Sequence, residues 1–366
     1  MRDEPPPLSA RDAIGLGPLD RPRVLIVRLG AIGDVVNALI VANGIRSAVP
    51  GALIGWAIHP LSKPLVEGHP AVDRIHVWSK GTGLRGFRKV VRDVRDGGYD
   101  IALDLQRLQK SALLARLSGA RRVIGFDRPR CKEQSWLWTK ERIETGHPRE
   151  HMVLQYRRFL DLLGLPSDPV RRDLTADPKS TAWAEGWIAD KWGGEAPILL
   201  NVGASKQEKL WPEASFREVA EHLRRELPDT PIAITGGPGD IKMGQSLRSA
   251  VPSLFQLAGE TSIVELVALI RKARGVITGD TGAMHVAAAV GTPTVAIFGP
   301  SDPVRTGPFG SRHAVLQGNR RLSEADLAQG HGSVPPPRTR PPMGATTPGV
   351  VSVQASELFG RAIDPI

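Results

Sequence analysis

Residues 274–303 read RGVITGDTGAMHVAAAVGTPTVAIFGPSDP. A β-branched apolar run ends at Gly279, the chain turns through Asp280-Thr281-Gly282, and a helix opens at about Ala283. The chain then returns through Gly291 into a second apolar run, TPTVAIFGP. Strand, glycine turn, helix and strand in that order make a βαβ unit of a parallel sheet covered by helices on both faces. The alternation continues outward. APILLNVG (196–203) and TPIAITGG (230–237) predict strands, and SFREVAEHLRREL, DIKMGQSLRSAV and SIVELVALIRKA predict helices. An earlier series opens with the strand RVLIVRLG (23–30) and a helix running to near Pro50-Gly51. It adds strands at ALIGWAIH, RIHVW, YDIALDL and RRVIGF, with a basic helix over about 84–96.

These runs predict an α/β chain of two Rossmann-like, doubly wound domains facing each other. A Pro-rich flexible tail covers 1–21, the first domain 22–175, a linker and Trp-rich helix 176–194, and the second domain 195–349. The second domain includes a Pro- and Gly-rich stretch, 318–349, read as a long loop, and a C-terminal helix is predicted over 350–366. A length of 366 residues agrees with two domains. Hydrophobic content of 41% and charged content of 23% exclude a disordered chain, a collagen and a membrane bundle. There is no uninterrupted apolar run of about 18 residues and no apolar leader at the N-terminus. The single cysteine, Cys131, excludes an internal disulfide and a cysteine-based zinc cluster, and the expected compartment is the cytoplasm.

Charge is uneven. The net +10 comes from 48 Lys/Arg against 38 Asp/Glu, and residues 195–366 hold 17 and 16 of these. Residues 1–194 therefore hold 31 and 22, a net +9. A basic half beside a neutral one points to an anionic partner: nucleic acid, a phosphorylated glycolipid or a membrane surface. The plain alternative is an arginine-rich composition.

Four segments could carry chemistry. At Asp280-Thr281-Gly282-Ala283 the first amides of the following helix lack internal partners and carry the positive end of its dipole, so a diphosphate finds donors there. His285, in the first turn, could donate to a phosphate oxygen. The alternative is that Asp280 caps the helix, Gly282 makes the turn and His285 packs. In LLNVGASKQEKLWP, Ser205, Lys206 and Lys209 follow a strand end and suit phosphate or sugar oxygens, or else a solvated loop. In RLGAIGDVVNAL, Asp34 sits at the first strand-to-helix turn with Gly30 and Gly33. It could cap the helix or take a proton from a bound hydroxyl. The fourth segment is basic: Arg85, Arg88, Lys89, Arg92 and Arg95, followed by Arg107, Lys110, Arg121, Arg122, Arg128, Arg130 and Lys132. Arginine forks suit phosphate and carboxylate, and a solvated helix face is the alternative.

In order, RVLIVRLGAIGDVV, EGHPAVDRIH, YDIALDLQRLQKSALLARL, LLNVGASKQEKLWP, GGPGD and GDTGAMHVAAAVGTPTVAIFGPSDP resemble glycosyltransferase family 9, the ADP-heptose:lipopolysaccharide heptosyltransferases. The resemblance covers about residues 22–315 and a stretch near the C-terminus, and is greatest to the heptosyltransferase I branch. It implies a GT-B fold with the active site in the cleft between the domains. It also implies an inverting transfer of L-glycero-D-manno-heptose from ADP-heptose to a Kdo hydroxyl of the lipopolysaccharide inner core, with no cofactor and no bound metal. Asp34 matches the family's general base. Ser205, Lys209, the Thr281, Gly282 and Ala283 amides and His285 would hold the diphosphate, Asp280 the heptose hydroxyls and Asp240 the nucleoside. Arg85, Arg88, Arg128 and Arg130 are candidate contacts to a phosphorylated Kdo-lipid A acceptor, from charge and domain. The implied location is peripheral, on the inner face of the inner membrane. Ala204-Ser205 stands where the heptosyltransferase I branch has two hydroxyl residues. A family 9 enzyme using another nucleotide sugar or glycan stays open. A nicotinamide-dependent oxidoreductase on Rossmann domains is disfavoured by the lack of G-x-G-x-x-G. A nucleic-acid-binding protein is disfavoured by 5% aromatic content and the absence of a binding module.

Overall fold

The computed structural model describes residues 21–175, 177–310, 312–328 and 341–360. The predicted tail, except Arg21, lies outside these residues, as do 329–340 of the predicted loop and 361–366 of the predicted C-terminal helix. The chain forms two compact units. The first comprises residues up to 148 with 152–173, and the second 149–151 with 174 onward.

In the first unit β1 (Arg23–Val27), β2 (Leu53–Ile58), β3 (Arg74–Val77), β4 (Ile101–Asp104), β5 (Arg122–Gly125) and β6 (Glu141–Arg142) form a sheet of order β3-β2-β1-β4-β5-β6. Every pairing is parallel. Val24 to Val27 are fully enclosed, as the continuous apolar run requires of a strand covered on both faces. Helices α1 (Ile32–Ala48), α2 (Gly83–Arg95), α3 (Gln109–Leu117) and α4 (Met152–Leu162) cover it. α1 and α4 approach closely because Gly44 has no side chain: a Cβ there would overlap Leu160. α2 buries Val90 and Val94 in the same apolar cluster as Leu25, Val27 and Trp78.

In the second unit α5 (Pro178–Trp192) leads into β7 (Ile198–Asn201), α6 (Glu213–Glu226), β8 (Ile232–Thr235), α7 (Ile241–Ala250), β9 (Phe255–Gln256) and α8 (Ile263–Lys272). Then follow β10 (Gly275–Gly279), α9 (Gly282–Val290), β11 (Thr294–Phe298), the short α10 (Pro303–Thr306), β12 (His313–Gln317), β13 (Arg320–Leu322), α11 (Glu324–Ala328) and α12 (Pro348–Phe359). The sheet order is β13-β12-β11-β10-β7-β8-β9, antiparallel only at β12–β13. α5, read from sequence as part of a connecting segment, belongs to this unit, with Trp187 and Trp192 packed edge-on against Phe255. Residues 149–151 belong here too. Arg149 donates to both oxygens of Asp302 at 2.7 and 3.0 Å, and His151 Nε2 lies 3.0 Å from the Gly307 carbonyl.

The long loop expected over 318–349 is corrected in part. Its start is a hairpin, with Gly318-Asn319 as a two-residue turn and Gly318 at φ 59, followed by α11. α12 begins at Pro348, where a missing N–H costs nothing, and thus inside the expected loop. The prolines that shaped the loop reading cluster at 335–342 and do not speak for the residues on either side. α3, β6, β9, β12 and β13 are also additions to the sequence reading. Among the described residues no helix is long and apolar enough to cross a membrane.

α12 seals one face of the second sheet with Phe359 fully buried, and a Cβ on Gly275 of β10 would overlap its ring. Overpacking of this kind costs about 1–3 kcal/mol. Gly275→Ala is expected to lower the melting temperature of the full chain accordingly, and a thermal scan showing no loss would reject this packing.

Candidate functional site

Each sheet has one place where the chain changes sides, between β1 and β4 in the first unit and between β7 and β10 in the second. Ligands of open α/β sheets bind outside the carboxyl ends of the strands at such a point. Asp34 follows β1 at the first of these edges, and Ser205, Lys209 and the Asp280 turn follow β7 and β10 at the second, whereas Asp240 and the basic candidates follow other strands.

In the second unit β7 ends in Asn201 and β10 in Gly279. Lys209 comes back over this edge from a 3-10 turn at Gln207–Lys209, and its Nζ lies 2.6 Å from Asp280 Oδ2. A Cβ on Gly279 would stand 3.4 Å from the Lys209 carbonyl oxygen, so a small residue lets the loop lie close. The pair is largely enclosed, with side-chain exposures of 22% for Lys209 and 9% for Asp280. The reading of Asp280 as a helix cap is therefore corrected. Thr281 is the N-cap of α9 and makes no side-chain cap bond, while the Asp280 carboxylate faces Lys209. The first amides of α9 thus receive no side-chain cap bond from the N-cap residue and remain donors for an anion. Gly282 opens the helix, Ala283 and His285 are buried in its first turn, and Gly291 ends it in the left-handed region at φ 80.

Beneath this turn is a polar ladder that sequence reading passed over. Asn201 donates from Nδ2 to Thr235 Oγ1 at 3.3 Å and accepts from Thr278 Oγ1 at 3.3 Å and Thr281 Oγ1 at 3.4 Å. Asn201, Thr235 and Thr278 are buried, so these bonds satisfy groups that would otherwise be costly to enclose. The ladder ties the end of β7 to the turn after β10. Asp240, one strand away after β8, accepts from the Gly237 backbone N at 2.8 Å and packs against Gly203 and Gly236. Ser205 is exposed on the loop that carries Lys209.

In the first unit Asp34 occupies the first turn of α1, but it is not the cap: Ala31 is, with no side-chain cap bond. The Asp34 carboxylate is instead ion-paired with Arg28 Nη2. Arg28 is buried at the end of β1 and also donates from Nη1 to the Leu105 carbonyl at 3.0 Å. Its backbone carbonyl accepts from Trp56 Nε1 at 3.0 Å. Asp34 retains 38% side-chain exposure, so a fixed cation holds one face of an accessible carboxylate. Asp104, at the end of β4, is enclosed in the same region. Burial pushes its carboxyl up to about 6, against a hydrogen bond from the Gln106 backbone N and the charges of Arg28 and Arg107. Sequence reading missed Arg28 and Asp104. The available signal was a charged residue at the carboxyl end of an otherwise apolar strand run, which parallel strands reserve for a site.

The basic candidates separate by burial. Arg85 and Arg88 are exposed on α2, and Arg128 is exposed with its guanidinium 4.3 Å above the Trp136 ring. Arg130 is buried, ion-paired with Asp127 and donating to the Glu144 carbonyl at 2.8 Å, which gives it a structural occupation. Among the described residues no group of three His, Cys, Asp or Glu side chains is placed to hold a metal ion.

The family model described as glycosyltransferase family 9 (heptosyltransferase) matches residues 87–329. Lipopolysaccharide heptosyltransferase 1 of Pseudomonas aeruginosa is 29% identical over 309 residues, 80% of this chain and 83% of that protein. Among solved structures, a glycosyl transferase family 9 protein from Veillonella parvula superposes with TM-score 0.79 at 22% identity, covering 94% of this chain and 99% of that one. The Escherichia coli heptosyltransferase WaaC with ADP superposes with TM-score 0.67 at 23% identity, covering 80% and 92%. These structures share the two-Rossmann α/β fold described above.

The raised Asp104 carboxyl yields a stability prediction. Its proton is held more tightly in the folded chain, so the contribution is complete below pH 3.8 and is lost as pH rises through about 6. The loss is on the order of 3 kcal/mol. Asp104→Asn cannot ionise and is expected to be more stable than the parent at pH 7.5 and indistinguishable from it near pH 4. Denaturant titration at both values checks this, and equal stabilities at pH 7.5 would reject it.

Proposed function

The chain belongs to glycosyltransferase family 9, and from that membership we propose that it moves a heptose from ADP-heptose to the inner core of a lipopolysaccharide. The observation that carries the reading is the enclosed Lys209–Asp280 pair at the β7/β10 switch point, beside the uncapped start of α9. A lysine on the loop after β7, facing the uncapped amides and buried histidine of the first turn of α9, suits a diphosphate, whose charge grows as it leaves. Lys209 offsets the Asp280 charge, so the carboxylate can accept from sugar hydroxyls next to an anionic leaving group. The relative solved with ADP supports a nucleoside diphosphate as that group.

In the proposed reaction Asp34 takes the proton of an acceptor Kdo hydroxyl. The hydroxyl oxygen forms a bond to the anomeric carbon of the heptose while the bond from that carbon to the diphosphate oxygen breaks. ADP leaves from the opposite face with inversion, and no metal is required. Ser205, Lys209, the Thr281, Gly282 and Ala283 amides and His285 hold the diphosphate, Asp280 the heptose and Asp240 the nucleoside. Arg28 supports the assignment of Asp34, since a buried cation beside it fixes the orientation of the carboxylate. Arg85, Arg88 and Arg128 meet the phosphates and carboxylates of a Kdo-lipid A acceptor. Arg130 is not carried into this set, because its guanidinium is occupied by Asp127. The acceptor being a lipid, the enzyme works peripherally at the inner face of the inner membrane.

Product analysis by mass spectrometry, with ADP-heptose and Kdo₂-lipid A against competing sugar nucleotides, tests the reaction. A product carrying a different sugar would replace the donor assignment. Asp34→Asn is expected to lower turnover by about 10²–10⁴-fold, the span of a general base, with ADP binding retained. Normal turnover in that variant would remove Asp34 from the role. Lys209→Ala is expected to cost about 1.5–3 kcal/mol in kcat/KM for the donor, the worth of a charged contact. Unchanged donor kinetics would remove the loop from the diphosphate site.

A further inference from the structure

α2 carries Arg85, Arg88, Lys89, Arg92 and Arg95. The first four follow the i, i+3, i+4, i+7 spacing that places side chains on one helical face. All five are exposed, and among the described residues none has a side-chain hydrogen bond or an ion pair. Elsewhere in the same unit arginines find carboxylates: Arg46 pairs with Asp73, Arg122 with Glu141, Arg157 with Asp168 and Arg158 with Glu144. α2 thus gathers on one helix five cations that have no carboxylate partner among the described residues.

The orientation of the stripe is set from the other side. Val90 and Val94 are buried, and Phe87 packs edge-on to Trp78 at 5.3 Å. Asp93 ties the helix to β3 through Arg74 at 2.8 Å and His76 Nδ1 at 2.6 Å, and His76 Nε2 continues to the Tyr99 hydroxyl at 2.6 Å. With Phe87, Val90, Asp93 and Val94 engaged inward, the helix shows a cationic strip about 15 Å long from Arg85 to Arg95. Leu84 heads the same helix and is 75% exposed. Leu61, 68% exposed, follows β2, the neighbour of β3 in the sheet. Leu61 and Leu84 thus each follow the carboxyl end of a strand, and the two strands are neighbours in the sheet.

We infer that the outer face of α2, with Leu84 at its head, is a docking surface for an anionic phospholipid bilayer. A plane of phosphate headgroups matches a straight row of unpaired cations, and aliphatic side chains gain by leaving water for the headgroup–acyl boundary. A nucleic acid would satisfy the cations but offers no gain to exposed leucines, and the one aromatic ring of α2, Phe87, is turned onto Trp78 rather than outward. This contact rests on the proposed peripheral working of the enzyme, extends the surface of Arg85 and Arg88 to Lys89, Arg92 and Leu84, and is measurable with no sugar nucleotide present.

Sedimentation of the full chain with vesicles tests it. The protein is expected to bind phosphatidylcholine vesicles containing phosphatidylglycerol, to release with added salt, and to ignore vesicles of phosphatidylcholine alone. Lys89→Glu with Arg92→Glu, both solvent-facing, should weaken binding by at least about tenfold, since each cation near an anionic surface contributes to it. Leu84→Ser should weaken binding to vesicles while leaving retention on a heparin column unchanged, and circular dichroism confirms that both variants fold. Equal binding to both vesicle types, or parent-like binding by the charge-reversed variant, overturns the proposal. An oligonucleotide that binds in preference to vesicles, with Leu84→Ser behaving as the parent, would assign the stripe to nucleic acid instead.

Discussion

β10 lies between β7 and β11, yet the chain reaches it only after running out along β8 and β9 on the far side of β7. The segments after β7 and β10 must therefore depart toward opposite sides, and the gap between their carboxyl ends stays open. Short polar side chains line this edge: Thr278 and Thr281 donate to Asn201, and Thr278 also lies within reach of the Gly279 carbonyl. The Lys209 loop lies across this edge, and α9 starts from it. The first unit meets the same constraint at β1 and β4 with different chemistry, a buried arginine between one accessible and one enclosed carboxylate. A single topological rule thus produces two sites of unlike charge, one suited to an anion and the other to holding a base.

Much of this was legible because the apolar strand runs are short and end at glycine or a charge. RVLIVRLG and RGVITGD announced buried strands, and the glycine turns after them placed Asp34 and Asp280 at strand ends. The partners of those carboxylates were less legible. Both were expected as possible caps, since a carboxylate near a helix start is the commonest reason for one. Arg28 is six residues before Asp34, and Lys209 is 71 residues before Asp280. The first pairing depends on how the turn after β1 folds back, and the second on β7 and β10 being neighbours in the sheet, and neither follows from helical or strand spacing. The two-residue strands β6 and β9 were illegible for a related reason: their edge positions come from the neighbouring strand and not from their own composition.

Charge divides by function as well as by sequence half. Arg28, Arg130 and Arg172 are buried in the first unit, where each guanidinium serves packing and hydrogen bonding. The cations of α2 have no such occupation. A net charge counted from sequence merges these populations, which is why the +9 of residues 1–194 pointed to an anionic partner without saying which arginines would meet it.

The segment Arg149–His151 has a practical consequence for anyone dissecting this protein. The sequence invites a cut near residue 174, giving two fragments with one sheet each. That cut would leave Arg149 and His151 on the wrong piece, stripping Asp302 of its bidentate partner and the Gly307 carbonyl of its imidazole. An isolated C-terminal fragment would therefore lack the arginine that bridges to Asp302 at the head of α10, and complementation between separately expressed halves would have to restore that tripeptide first.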